Sequence, residues 1–571
     1  MGLPIGYDDF GAIRQKQLNL VDKSLFIQEV LEDEITQVAV ITRPRRFGKT
    51  LNLSMLHHFL ASEVNGQSTE GLFEGLKISN LGESYRQHQG KYPVIFISFK
   101  DIKYTSYSQA QEGLANLMSH VYGQYRDLLL SELFYEDEKK LFNNILNQCA
   151  TKQNLMASLF NLMHYLYRYY KVKPWLLIDE YDTPIQAAYI HGYYDEMVNF
   201  VRGMLSSVLK TNPNLHRSII TGILRVAKES LFSGLNNVKT YSLLQSEYST
   251  HFGFTEAEVT EVLKQAQLEH CAEDIKRWYN GYRMGSTVVY NPWSIANCIA
   301  GKGALKPYWV NTSDNHLIKE LLVHSDLNFK SEFESLLLGQ KTQQFVDEHV
   351  VFGDLAQKGD AVWSLLLMSG YLKATDPKET PQGLTCLLDI PNLEVRRLYQ
   401  QLIERWLANG QGIQWYNRFL NSLLSGDLPR FEAELRRLME QTASYHDLGT
   451  EPEAFYHGLM LGMTASLYEN PNYEVRSNRE SGYGRYDYMI LSRNLNKPTL
   501  IIELKQLDAP DKMKSETLEE KLAQLAEEAL IQIEAKKYVS EAKQRGMKNI
   551  LTIGLAFSGK RFQLKSQVLC L

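Results

Sequence analysis

Two short clusters of residues have the types and spacing to handle phosphate. In the first, Arg43-Pro44-Arg45-Arg46-Phe47-Gly48-Lys49-Thr50 follows the apolar run 38–41. A triphosphate needs backbone N–H groups at a helix start, a lysine on its oxygens and a hydroxyl for Mg²⁺, and Gly48, Lys49 and Thr50 supply these in order. The loop departs from the usual pattern at one place, where Arg43 replaces the opening glycine. Pro44 would stiffen that turn, and Arg43, Arg45 and Arg46 would add positive charge around the phosphates. A basic turn before a helix, with no ligand, is the plainer alternative. Farther along, Trp175-Leu176-Leu177-Ile178 ends in Asp179-Glu180. This is the pattern of a metal-associated carboxylate followed by a base for a hydrolytic water. The two halves together read as an ATP site with Mg²⁺. Asp182 would orient an arginine or the ion, or merely cap the helix that starts before Pro184. Thr221 is a candidate sensor of the γ-phosphate and Arg225 a candidate charge stabiliser.

The second cluster is Asp487 with Glu503-Leu504-Lys505, the carboxylates sixteen positions apart. Side chains alternate along a strand, so Glu503 and Lys505 share a face that Asp487 can join from a neighbouring strand. Asp487, Glu503 and the Leu504 carbonyl would be hard oxygen ligands for Mg²⁺, and Lys505 would orient or help deprotonate an attacking water. An acid and a lysine alternating on an exposed strand is the ordinary alternative. Glu503, however, ends the buried run 499–502, where a charge is costly unless it serves a site. Gln532 and Tyr538 on the following helix, and Glu453 and His457 on the preceding one, are further candidates.

The elements that must position these groups are legible as patterns. Between residues 38 and 237, short apolar runs (VAVIT, PVIFISF, WLLID, SIITGIL) alternate with helical stretches, which implies a parallel sheet covered on both faces. An α/β P-loop domain is expected over 1–250. Residues 251–450 read as a helical lid and connector region, punctuated by the turn-rich YNGY and YNPW. Within it a helix, a Gly370 stop and two strands suggest a winged helix near 360–392. Residues 451–571 read as a compact α/β domain: a helix near 455–467, three strands, a long charged helix and a further strand.

Composition sets the outer limits. A chain of 571 residues exceeds one core, so two to four domains are expected. The net charge of -5 does not by itself draw the molecule to nucleic acid or an anionic membrane. Five scattered cysteines without CxxC spacing indicate a reducing compartment, no zinc site and small buried hydrophobes. No secretory leader pattern and no long apolar run is present, so a cytoplasmic protein without a membrane partner is expected. Gly2 invites myristoylation, but Gly6 stands where Ser or Thr is preferred.

LPIG, LVDKSLFI, RPRRFGKTLNLSML, LLIDEYDTPI, TGILRVAKESLFSGLNN, YNGYR, VYNPWSI and IPNLEV together resemble the bacterial and archaeal AAA-ATPase-like proteins that carry a C-terminal PD-(D/E)XK nuclease-like domain. The resemblance spans nearly the whole chain. It implies that RPRRFGKT is the family's own form of the P-loop, and that Asp487, Glu503 and Lys505 are nuclease residues, with Gln532 and Glu453 beside them. The expected function is an ATP-binding and hydrolysing protein whose Mg²⁺-dependent nuclease-like domain acts on DNA or RNA. The alternative is a nucleotide-regulated switch whose nuclease-like domain only binds a partner. A homo-oligomer and a monomer are both left open. A metabolic kinase fits poorly, because no small-substrate signature accompanies the loop.

Overall fold

A computed structural model of the chain describes residues 2–224, 237–309, 327–337, 339–350, 359–408, 413–442, 467, 472–481, 484–494, 497–507, 515–536, 538–558 and 561–570. The chain divides into two compact units, Met1–Ile318 with Gln343–Val395, and Lys319–Thr342 with Arg396–Leu571.

The first unit is built on a five-stranded sheet in which all neighbours are parallel. Its spatial order is Val94–Ser98, Trp175–Asp179, Ser218–Gly222, Val38–Thr42 and Val238–Tyr241. Every residue of Val38–Thr42, Trp175–Asp179 and Ser218–Gly222 is buried, as unbroken apolar strands between two helical layers should be. The strand order matters most for function. Ser218–Gly222 lies between the strand that enters the phosphate loop and the strand that ends in Asp179, so its last residues stand between the two halves of the site. Val238–Tyr241 carries no apolar run. It is a half-exposed edge strand that the sequence pattern did not announce.

Turn chemistry shapes the rest of this unit. Thr255 and Glu258 form a reciprocal capping box at the start of Glu256–Ala266. Asn291 accepts the Ser294 N–H ahead of Pro292, which opens Pro292–Ala300. Gly281, in YNGYR, has φ +101°, and a Cβ there would lie 2.2 Å from the Pro391 carbonyl oxygen. The helix Gly359–Met368 is followed by Gly370 and the antiparallel pair Lys373–Thr380 and Gly383–Asp389, the elements on which the winged-helix expectation rests.

The second unit carries a mixed five-stranded sheet in the order Tyr473–Ser481, Gly484–Ser492, Thr499–Gln506, Asn549–Ser558 and Arg561–Cys570. Only the third and fourth strands are parallel, and the helix Ser515–Ala535 makes their crossover. Alternation along Thr499–Gln506 sends Leu500 and Ile502 into a core with Trp415, Phe419, Phe431 and Leu435. Ile501 points the other way, into a core with Leu530, Ile533 and Tyr538. Glu503 and Lys505 share the face of Ile501 and therefore look toward Ser515–Ala535. The last strand, whose polar residues hide its period, was missed in the sequence, and the helix expected near 455–467 lies outside the described residues apart from Leu467.

Cys298 and Cys386 are buried as expected, whereas Cys149, in the loop after the helix Glu136–Leu146, is exposed and Cys271 is half-buried. Among the described residues no helix is long and apolar enough to cross a membrane.

Candidate functional site

The phosphate loop leaves Val38–Thr42 and ends at Gly48, whose φ of +88° places it just before the helix Lys49–Leu60. Glycine is required there by backbone conformation alone, since a Cβ would meet nothing within 4 Å. Arg43 is not among the residues with positive φ, so the missing opening glycine costs the loop nothing in conformation. The Arg43 guanidinium was expected beside the phosphates. It is instead fully buried and donates to the carbonyls of Thr42 and Tyr241, each at 2.8 Å, and of Glu247 at 3.0 Å. Its positive charge thus fastens the loop's entry to the edge strand. Burial lowers its pKa to about 10, which leaves it charged at neutral pH.

The remaining loop residues are held from outside. Arg45 donates to the Gln186 side chain at 2.8 Å, and its carbonyl accepts from the Trp309 indole at 3.0 Å. Arg46, with φ +66°, lies 4.5 Å above the Trp293 ring. Phe47 packs edge-on against Tyr282, and Pro44 sits against Gly370. Lys49 is buried, and its ammonium donates to the carbonyls of Arg43 at 3.0 Å and Pro44 at 2.9 Å. Burial pushes its pKa down, and Glu180, Asp179 and Asp182 pull it back up.

Asp179 is the centre of the site. Thr50 donates to one of its oxygens at 2.8 Å and Thr221 to the other at 2.7 Å, with Ser98 at 3.4 Å. The carboxyl is fully buried, and desolvation raises its pKa against the lowering effect of these hydroxyls. Thr50, Asp179 and Thr221, which come from three separate segments, therefore form one contact group beside Lys49. Glu180 has φ +51°, a conformation that non-glycine residues adopt at a cost of order 1 kcal/mol, and accepts a 3.2 Å bond from Thr183. Asp182 precedes the helix Thr183–His191 without capping it, and one of its oxygens accepts the backbone N–H groups of Ile223 and Leu224. Arg225 lies outside the described residues.

In the second unit, Tyr488 pairs with Ile502, and Asp487 beside it accepts the Leu504 N–H at 2.7 Å. Glu503 is 3 % exposed. One of its oxygens accepts from Gln532 and lies 3.5 Å from the Lys505 ammonium, while Lys505 also donates to the Gln532 carbonyl oxygen at 2.6 Å. Gln532, on the helix Ser515–Ala535, also reaches the Tyr538 hydroxyl at 3.3 Å. The helix can come this close because Gly554, paired with Glu503, has no side chain: a Cβ there would stand 2.2 Å from the Ala526 carbonyl oxygen. Burial and the Asp487 charge push the Glu503 pKa up to about 7, against the pull of Lys505. The other Glu503 oxygen is buried with no hydrogen-bond partner. A buried carboxylate oxygen without a donor beside a second carboxylate suits a hard cation. No group of three or more acidic, His or Cys side chains poised for a metal occurs among the described residues, so this donor set depends on the Asp487 and Glu503 pair. Glu453 and His457 lie outside the described residues.

Residues 4–232 match the family described as predicted AAA-ATPase, and residues 451–567 match the PD-(D/E)XK nuclease superfamily. The chain is 25% identical over 561 residues to an uncharacterized protein from the vnfD 5′ region of Azotobacter chroococcum, which covers 97% of this chain and 96% of that one. A Walker-type ATPase of Pyrococcus abyssi is similar at 12% identity and a TM-score of 0.36, over 66% of this chain and 95% of that structure. Residues 4–232 are thus an AAA-ATPase-like domain, and residues 451–567 a PD-(D/E)XK nuclease superfamily domain.

Proposed function

We propose that this chain binds and hydrolyses ATP with Mg²⁺ in its first unit and cleaves nucleic-acid phosphodiesters at a divalent-metal site in its second. One observation carries the reading: each unit buries a strand carboxylate next to a lysine, Asp179 at the end of Trp175–Asp179 with Lys49 and Glu503 within Thr499–Gln506 with Lys505, and burial holds both acids above their ordinary pKa. Such carboxylates are expensive to ionise unless a cation shares the site.

In the first unit, Lys49 would carry the charge for the β- and γ-phosphates, and the N–H groups opening Lys49–Leu60 would add donors for them. Thr50 and Asp179 would hold Mg²⁺, and Glu180 would orient the attacking water and take its proton. Thr221 keeps the Asp179 carboxylate turned toward Thr50. In the second unit, Asp487 and Glu503 would hold the ion, and Lys505 would direct water or a phosphate oxygen. A divalent ion, when bound, supplies Lewis-acid neutralisation of the developing phosphate charge. A cytoplasmic setting fits the scattered cysteines, of which Cys149, Cys271, Cys298 and Cys386 are free.

A switch protein with an inactive nuclease-like domain is favoured by charge. Residues 451–571 hold 17 Lys and Arg against 16 Asp and Glu, and Arg476 and Arg545 are engaged by Glu474 and Glu541. The deciding experiment measures ATP hydrolysis and cleavage of single- and double-stranded DNA and RNA, with ATP, Mg²⁺ and Mn²⁺ each present or absent. Cleavage abolished by Glu503→Ala supports the nuclease; no cleavage of any substrate by the wild type selects the switch.

A further inference from the structure

We infer that Tyr181 and Asp182 are positioning residues for ATP hydrolysis: they tie down the chain leaving Ser218–Gly222 and so keep the Thr221 hydroxyl on Asp179. The inference rests on the ATPase reading of the first unit. Asp182 Oδ2 accepts from the N–H groups of Ile223 at 2.8 Å and Leu224 at 3.0 Å, and the Tyr181 hydroxyl donates to the Leu224 carbonyl at 2.6 Å. The Tyr181 N–H donates to the Thr221 carbonyl at 3.2 Å. From the other side, the Arg43 N–H donates to the Gly222 carbonyl at 3.0 Å. The first residues after Thr221 are therefore gripped both by the turn that follows Asp179 and by the entry to the phosphate loop.

The packing leaves no slack. Tyr181 is fully buried and Asp182 is 4 % exposed. A Cβ on Gly222 would lie 2.6 Å from the Tyr181 ring and 2.8 Å from Asp182 Oδ1. Since Asp182 makes no capping bond to its own helix, its carboxylate is committed to this turn. Thr221 can hold Asp179 only if its strand exit is fixed, because a shift of even one ångström breaks a 2.7 Å contact.

What the tether requires of Asp182 is a hydrogen-bond acceptor, not a negative charge, and that makes it separable from a base or a metal ligand. An amide oxygen accepts as a carboxylate oxygen does. The test compares Asp182→Asn, Asp182→Ala and Tyr181→Phe in the full chain. Two readouts are taken: steady-state ATP hydrolysis with ATP binding by calorimetry, and hydrogen exchange at the Ile223 and Leu224 amides. Asp182→Ala should lower kcat roughly 10- to 100-fold with ATP affinity within about threefold, and should expose both amides to exchange. Asp182→Asn should keep the amides protected and kcat within about threefold of wild type. Tyr181→Phe, which keeps the ring, should cost roughly 3- to 10-fold in kcat and gives the answer if Asp182→Ala does not fold. Asp182→Asn as slow as Asp182→Ala would assign Asp182 a charge role and overturn the inference, as would Asp182→Ala with wild-type turnover or protected amides. A wild type that binds but never hydrolyses ATP would overturn the ATPase reading instead, and the exchange measurement then decides the tether by itself.

Discussion

At the scale of single residues, two lysines and four acids divide the work. Lys49 is buried at the loop and Glu180 stands one residue beyond Asp179, so binding and turnover should separate. Lys49→Ala should abolish ATP binding in calorimetry, because no neutral side chain can replace the ammonium between phosphates. Glu180→Gln should bind ATP normally and hydrolyse it at least about 100-fold more slowly, in an assay that follows phosphate release. Glu503 makes a prediction about pH. Its folded pKa of about 7 lies above the ordinary value of 4.5. Its contribution to stability is therefore fully present below pH 4.5 and lost as pH rises through 7. In chelator, chemical denaturation should show the second unit losing on the order of 2 kcal/mol between pH 4.5 and 8, and Glu503→Gln should flatten that loss. Mg²⁺ or Mn²⁺ should stabilise the wild type more at pH 8 than at pH 6, since the ion and the proton compete for the same oxygens. A metal effect independent of pH would remove Glu503 from the ligand set.

At the scale of elements, the notable feature is the clamp made by Arg43. Its three carbonyl partners lie on the loop's own strand, on the edge strand Val238–Tyr241 and on the segment after it. The planar guanidinium reaches all three at once, and the Phe252 ring lies 5.3 Å from it. Arg43→Met should destabilise the first unit by about 2–4 kcal/mol, because the carbonyls lose their donors in a buried site. Arg43→Lys should recover little of that loss, since a tetrahedral ammonium cannot reproduce the planar fork. Denaturant midpoints of the three proteins check this; a Lys variant as stable as wild type would mean that charge alone suffices. The same loss should weaken ATP binding only through the loop's altered geometry, in contrast to the direct effect of Lys49→Ala.

At the scale of the whole molecule, the two candidate sites fall in separate compact units with separate cores. Glu503→Ala should therefore leave ATP hydrolysis without nucleic acid within about twofold of wild type. The Asp487→Ala/Glu503→Ala double variant should cleave no worse than the single variants, because members of one metal-centred group fail together. Additive losses in cleavage kinetics would place the two acids in different roles. Much of this was legible in the sequence. The central strands of both sheets, the helix starts at Lys49 and Thr183, and the pairing of Asp487 with Glu503 follow from periodicity and turn chemistry, which act over a few residues and are written locally. The edge strand Val238–Tyr241 and the final strand Arg561–Cys570 were not, because edge strands need no continuous apolar run. The destinations of the polar side chains were decided only by the tertiary structure. Arg43 meets the Tyr241 carbonyl 198 positions away, Thr221 meets Asp179 across 42, and Asp182 meets the Ile223 amide across 41. The sequence by itself determined which residues could do phosphate chemistry. Strand order decided which of them meet, because a buried polar group must satisfy its hydrogen bonds with whatever the fold brings beside it.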